Sequence, residues 1–518
     1  MFIVNALHRA AQIRPDHIAS VHQGRSWTWA QVKDRVARLG TVLRAHGVGP
    51  GDRVAVLGWN TDRYLEAVLS VSWIGGVLVP LNTRLAAPEV AYQVKHAEAT
   101  VLLFDAEFSA TATAARDASP ALRLITLGAT AARADAPPSD TLIDAAAPGE
   151  DANPQPGDLM GIFYTGGTTG LPKGVMATHA NVAQQVAVHM IDLGWSPQTV
   201  YLAVLPMFHL GGLTGAYCLL SLAGRQHYVE KFDVAVFLER LADERISAAG
   251  LSPVSLGWLL DSPRLAELDL SALRSLGYGT APITEALLRR AMQHLPGVQF
   301  TQIYGQTEIT GTISVLRPQD HVLDGAAALR LRSAGCASWG VRVRVVDEAG
   351  HDVPSGATGE IVARSPGVMA GYWRDPAQTA IALRDGWLHT GDIGYLDDQG
   401  YLFVVDRSKD MVVTGGENVF SCEVENAIAS CPGVAQVAVV GIPHAVWGEA
   451  VHAVVVPVAG ATLDAETVIQ HCRALIAGYK CPKSVDVRAA PLPLSGVNKV
   501  QKHVLREAYW QGHARRVN

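Results

Sequence analysis

The sequence is poor in the features that mark several large protein classes. Its six cysteines, Cys218, Cys336, Cys422, Cys431, Cys472 and Cys481, include no Cys-x-x-Cys pair, so zinc-ribbon and dithiol redox chemistry have no motif. So few scattered thiols in a chain of 518 residues fit a reducing compartment, and the expected location is cytoplasmic. Basic residues are not in excess. The formal net charge is -6, which gives no electrostatic case for nucleic acid. No integral membrane segment is expected. The most apolar window, Tyr201 to Leu222, is broken by Pro206, His209, Gly211 and Gly212, and reads as a buried strand, turn and helix. A signal-type apolar h-region is missing as well. Ala6 to Ile13 has helical spacing and is expected to be a docked helix. No internal repeat is found. With 49% hydrophobic and 17% charged residues, the chain reads as a soluble globular protein of two or more domains.

What is present is alternation. Short apolar runs at Arg53–Gly58, Gly76–Asn82, Thr100–Asp105 and Leu122–Gly128 alternate with helical patterns. They argue for parallel strands with helices on both faces. Ala129 to Gly157 is rich in Ala, Pro and Asp, lacks periodicity, and reads as an exposed connection. Buried strands resume at Tyr201–Pro206, Ala248–Pro253, Leu273–Gly279 and Phe300–Gly305. Ligands sit beyond the carboxyl ends of such strands, so chemistry is sought in the residues that follow them. Val341–Asp347 and Gly359–Arg364 alternate like antiparallel strands of a smaller β subdomain. Val434–Ile442 and Val451–Val458 read as strands, and Asp464–Leu475 as a helix capped by Asp464.

The densest motif runs from Tyr164 to Gly174: Tyr-Thr-Gly-Gly-Thr-Thr-Gly-Leu-Pro-Lys-Gly. Glycines admit an anion to backbone N–H groups, threonines add hydroxyl donors, and Lys173 adds charge. A plain surface turn needs neither three threonines nor a lysine. No Gly-Lys-Ser/Thr is present here, so it is not a Walker A loop. Tyr304-Gly305-Gln306-Thr307-Glu308 follows a strand and combines an aromatic face, a close-approach glycine, a hydroxyl and a carboxylate suited to Mg²⁺ near phosphates.

Together these stretches resemble the adenylate-forming superfamily, which includes acyl-CoA synthetases, adenylation domains and luciferases. The resemblance covers nearly the whole chain, with the motifs in family order. It implies an α/β fold: a large N-terminal domain of stacked α/β subdomains plus a small β subdomain (residues 1–406), a hinge (407–410), and a small mobile C-terminal α/β domain (411–518). It departs from the usual pattern where Gly166 replaces serine, Thr280 replaces a glycine, Phe420-Ser421 replaces an aromatic and proline, and Asn498 replaces the glycine before the lysine.

By resemblance, Thr165, Gly166, Gly167, Thr168, Thr169, Gly170 and Lys173 hold the ATP phosphates, and Gly279, Thr280, Ala281 and Tyr304 meet the adenine. Asp392 and Arg407 contact the ribose. Thr307 meets the α-phosphate, and Glu308 with Thr169 holds Mg²⁺. Lys499 is the implied catalytic lysine, and Lys409 the hinge residue. Thr307, Glu308 and His209 complete the implied catalytic set with Lys499; His209, Gly211, Gly250, Ile303, Gly305 and Gly311 are expected along the acyl pocket, a lining role being favoured over direct acid–base work for His209. Gly415, Gly416, Glu417, Trp447 and Lys480 are expected at the CoA site.

The implied activity is an ATP-dependent acid–thiol ligase with ATP, Mg²⁺ and CoA as its small molecules. Its AMP-forming reaction would pass through an acyl-AMP intermediate. Three rivals stand beside it: loading of a carrier protein, which the lack of an appended carrier region disfavours; luciferase-like oxygenation, which no extra motif supports; and a non-catalytic nucleotide binder, which the retained Lys499 and Glu308 disfavour. No charged residue lies among the implied pocket positions, so a second charge on the acid is disfavoured. A medium- to long-chain fatty acid is the expectation, with an aryl acid as runner-up. Nothing in the sequence sets the oligomeric state, and a homodimer is left open.

Overall fold

The computed structural model describes residues 3–165, 171–407, 410–495 and 498–511. Among them the fold is mixed α/β, organised on four sheets. The first has seven strands in the spatial order Gly371–Tyr372, Lys173–Thr178, Leu159–Thr165, Val77–Pro80, Arg53–Leu57, Ala99–Asp105, Arg123–Leu127. Its last five strands are parallel. Their near-continuous aliphatic runs, such as Val54–Leu57 and Val101–Phe104, are fully buried, as strands covered on both faces require.

The second sheet has nine strands. Ile18–His22, Arg225–Tyr228, Val200–Ala203, Ala248–Leu251, Ser275–Gly279 and Gln299–Tyr304 run parallel in that order. Because they are parallel, the segments that follow the last four emerge on one edge. These carry His209, Ser252, Thr280 and Glu308. The strand at Val200–Ala203 stops short of the expected Pro206. Asn60 takes over there, donating from Nδ2 to the carbonyls of Ala203 and Leu205 at 3.2 and 2.9 Å.

A third, antiparallel sheet contains Arg342–Val346, Gly359–Arg364, Trp387–Leu396 and Leu402–Arg407. Its register sets Asp392 opposite Arg407. The fourth sheet contains Val412–Thr414, Glu417–Val419, Val434–His444, Gly448–Pro457 and Ser484–Val487. Helices Ser421–Ala429, Ala465–Leu475 and Lys502–Trp510 accompany it, and it encloses a core of its own around Val424, Val439, Val455 and Val468. Asp464 caps its helix as expected, accepting from Thr467 N at 2.7 Å.

A second expectation fails. The stretch 129–157 is not simply an exposed connection, because Ser139–Ala145 is helical and buries Ile143. Two turns are too short to show a period, and the helix is held by tertiary contacts instead. Asp140 pairs with Arg35 at 3.1 Å and Arg63 at 2.5 Å. No helix among the described residues is long and apolar enough to cross a membrane.

Candidate active site

Three of the residues expected at the nucleotide, Tyr304, Asp392 and Arg407, meet at the junction of the second and third sheets. Tyr304, the last residue of its strand, donates from its hydroxyl to Asp392 Oδ2 at 2.7 Å. Arg407 Nε lies 3.2 Å from Asp392 Oδ1. The buried carboxylate thus has a neutral donor and a cation, which burial of a charge demands. Lys499 retains some exposure along its length, but its amine is enclosed in the field of Arg407, Asp392 and Asp410. Desolvation first, and Arg407 second, pull that amine down to about 8. A tight turn delivers it: Ser495 N donates to Lys499 O at 2.7 Å, and Asn498 holds φ +57. Glycine usually stands there in the family because this region of backbone space favours it; asparagine is among the side chains that tolerate it. Thr280, in the other glycine position, likewise holds φ +68. This is strained for a β-branched residue. A β-carbon on the preceding Gly279 would collide with Ile303 O.

Lys173 and Glu308, expected at the phosphates and Mg²⁺, belong to a second cluster. Lys173 Nζ donates to Gln378 Oε1 at 2.6 Å and lies 4.9 Å from the centre of the Tyr372 ring. Tyr372 in turn donates to Glu308 Oε1 at 2.9 Å. A basic group from one sheet and a carboxylate from another therefore share one tyrosine. Thr307 opens the short 3-10 turn Thr307–Ile309 that carries Glu308. Thr165 ends the strand leading into the loop. Gly166, Gly167, Thr168, Thr169, Gly170 and Lys409 lie outside the described residues.

Among the residues expected at the acyl pocket, His209 packs against the Phe208 ring, 4.6 Å between centroids. Its Nε2 is buried and has no hydrogen-bond partner among the described residues. Desolvation, with Arg84, lowers its pKa to about 4, so the imidazole is neutral at physiological pH. Gly305 accepts no side chain, because a β-carbon would collide with Gly311 O. Gly211 faces open space, whereas a β-carbon on Gly311 would stand 3.6 Å from Gln185 Oε1. Gln185 braces the Glu308 turn, donating from Nε2 to Ile309 O at 2.9 Å. Ile303 precedes Tyr304 in the same strand.

Gly250 lies on the wall of a cavity of about 160 Å³, with Leu205, Phe208, Phe232, Arg84, Ser255 and Asn498. His209, Gly211, Ile303, Gly305 and Gly311 are not on that wall.

The residues assigned to CoA stand apart from both clusters. Gly415 and Gly416, at φ +61 and +86, form the turn between Val412–Thr414 and Glu417–Val419. Trp447 is 40% exposed, stacks on His444 at 4.3 Å, and its carbonyl accepts from Gly415 N at 2.9 Å. Lys480 Nζ pairs with Glu423 at 2.7 Å. The motifs do not include Tyr372, Gln378, Gln185, Arg84 or Ser255.

Comparison with known proteins identifies the family. Residues 7–373 match the AMP-binding enzyme family, and residues 423–499 match the AMP-binding enzyme C-terminal domain. A feruloyl-CoA synthase of Amycolatopsis is 38% identical over 503 residues, covering 97% of this chain and 98% of that protein. An indoleacetate–CoA ligase of Aromatoleum aromaticum is 37% identical over 510 residues, covering 97% of each. The crystal structure of ATP-bound MatB from Rhodopseudomonas palustris superposes with a TM-score of 0.88 at 32% identity, over 98% of this chain and 99% of that one. The chain belongs to the AMP-binding enzyme family, in the acyl-CoA synthetase branch of the adenylate-forming superfamily, and is an AMP-forming acid–thiol ligase.

Proposed function

We propose that the chain joins an aryl or arylalkyl carboxylic acid to CoA. The observation that carries the chemistry is Lys499, whose desolvated amine lies in the combined field of Arg407, Asp392 and Asp410; in this reading its ammonium meets an incoming carboxylate and a phosphate oxygen together. The carboxylate oxygen attacks the α-phosphorus of ATP, the bond to the bridging oxygen of the β-phosphate breaks, and pyrophosphate leaves. Positioning and charge neutralisation supply most of the catalysis. In this reading Asp392 and Arg407 hold the ribose, Tyr304 and Thr280 border the adenine, and Lys173 with the Thr168–Thr169 loop holds the leaving phosphates.

Glu308 suits Mg²⁺. Tyr372 occupies Oε1, and one carboxylate plus substrate phosphates is a usual Mg²⁺ environment. When bound, the ion would neutralise phosphate charge; Glu308 would hold it, and Thr307 would meet the α-phosphate.

We further propose that 407–410 is a hinge between residues 1–406 and 411–518. Rotation about Lys409 would withdraw Lys499 and bring Gly415, Gly416, Glu417, Trp447 and Lys480 toward CoA. The thiol sulfur then attacks the acyl carbonyl, AMP leaves, and the thiol proton is released.

The aryl assignment rests on three supports. Neutral His209 and the glycines at 305 and 311 border the proposed pocket without charge. Phe208 stands beside it. The two relatives described above are a feruloyl-CoA synthase and an indoleacetate–CoA ligase. A medium- or long-chain fatty acid is the second reading, favoured by the open space at Gly211. A panel of aryl and fatty acids, assayed with ATP and CoA for AMP release, separates the two. Higher kcat/KM for aryl acids is the expected result, and preference for fatty acids overturns the aryl assignment.

A further inference from the structure

Asn498 replaces a family glycine, yet it does more than tolerate the backbone angle. Its Nδ2 donates to Ser255 Oγ at 3.0 Å. Its Oδ1 accepts from Arg84 Nη1 and Nη2, each at 3.2 Å. Arg84 Nη1 also donates to Ser495 O at 2.7 Å, in the same turn. An asparagine in an ordinary loop leaves its amide to water or to neighbouring backbone. Here the oxygen and the nitrogen both engage side chains, 414 and 243 positions away in sequence.

Both partners also have anchors that do not involve Asn498. Ser255 is buried in the first turn of helix Pro253–Asp261, which follows a strand of the nine-stranded sheet. Its backbone N–H donates to Ser252 Oγ at 3.1 Å, and Ser252 Oγ lies 3.0 Å from Ser255 Oγ. Arg84 follows a strand of the seven-stranded sheet and is anchored through its backbone N–H to Asn82 Oδ1 at 2.9 Å. One side chain therefore ties the turn carrying Lys499 to both large sheets. Arg84, Ser255 and Asn498 also share the wall of the 160 Å³ cavity.

We propose that Arg84, Ser255 and Asn498 form a latch that seats Lys499 for adenylation and must open before thiol transfer. This rests on the proposed two-arrangement mechanism. Asn498 is a positioning residue, acting through Lys499 and not on substrate. The latch makes adenylation depend on an amide that a glycine at this place cannot supply.

The test is Asn498→Gly in the full-length enzyme. Glycine keeps the left-handed backbone, so a loss belongs to the side chain. Two assays are run: acid-dependent ATP–pyrophosphate exchange, and thioester formation from a supplied acyl-adenylate and CoA. With several hydrogen bonds removed, exchange is expected to fall about 10-fold, while thioester formation is unchanged or faster. Ser255→Ala should show the same split more weakly, and the double variant should be no worse than Asn498→Gly, because the two residues share one contact. Equal loss in both half-reactions, or no loss in either, overturns the latch while leaving the ligase reading intact. Absence of exchange in the wild type with every acid overturns both.

Discussion

Tyr304 and Asp392 are joined by a 2.7 Å hydrogen bond that links the last parallel strand of the nine-stranded sheet to the antiparallel sheet. The bond fixes the carboxylate proposed to hold the ribose, and its second oxygen is left to Arg407. Tyr304→Phe removes that donor and keeps the ring. A lost hydrogen bond to a charged acceptor costs about 1.5–3 kcal/mol, so kcat/KM for ATP should fall about 10- to 100-fold while KM for the acid holds. Steady-state kinetics with each substrate varied checks this, and an unchanged kcat/KM for ATP contradicts it.

The pH dependence follows from Lys499. Its folded pKa is depressed from the usual 10.5 to about 8 by desolvation and Arg407. The ammonium is therefore present below about pH 8 and is lost as pH rises through it, so kcat/KM for adenylation should show an alkaline decline there. Stability moves the other way. Between pH 8 and 10.5 the unfolded chain binds more protons than the folded one, so this group's contribution to stability rises with pH. Near neutral pH the native state carries the cost of enclosing the ammonium, and Lys499→Met should raise Tm while abolishing the alkaline limb along with activity. His209, neutral with its pKa near 4, should contribute no acidic limb around neutrality. Rate profiles and thermal melts from mildly acidic to alkaline pH test both signs.

Glycine substitutions separate the pocket walls. Gly305→Ala forces a β-carbon into Gly311 O, an overpacking that typically costs about 1–3 kcal/mol and shifts backbone. Acid activation should fall sharply. Gly250→Trp would put an indole on the wall of the 160 Å³ cavity, and its β-carbon alone, 2.9 Å from Leu205 Cδ1, already requires that side chain to shift. If Gly250 borders the acyl group, preference shifts to smaller acids with small-acid turnover preserved. An unchanged acid profile would remove Gly250 from that pocket.

Much of this site is legible in the sequence because backbone requirements leave marks in residue type. The strand ends at Tyr304 and Gly279 announce themselves by apolar runs that stop at glycine. Asp392 and Arg407 belong to separate motifs, and strand register sets them opposite each other. Strand limits come out too long where a proline or polar cluster counts with the run. Tyr372, Gln378, Arg84 and Ser255 are not legible, since each acts through partners at least 64 residues away in sequence and no local spacing records such contacts. The helix Ser139–Ala145 escapes detection for a related reason: its support is the docking of Ile143 into the core and the pairing of Asp140 with Arg35 and Arg63, contacts that two turns cannot show as a period.

The most direct test of the account assays the two half-reactions separately in Lys499→Ala and Lys409→Pro. Loss of the ammonium should reduce acid-dependent ATP–pyrophosphate exchange by ~10²–10³ and leave thioester formation from a supplied acyl-adenylate nearly intact. Proline at the proposed hinge should do the reverse, since it fixes φ and removes an N–H where rotation is needed. Wild-type products should be AMP and pyrophosphate. Equal damage to both half-reactions in a folded Lys499→Ala protein, or release of ADP and phosphate by the wild type, would contradict the mechanism.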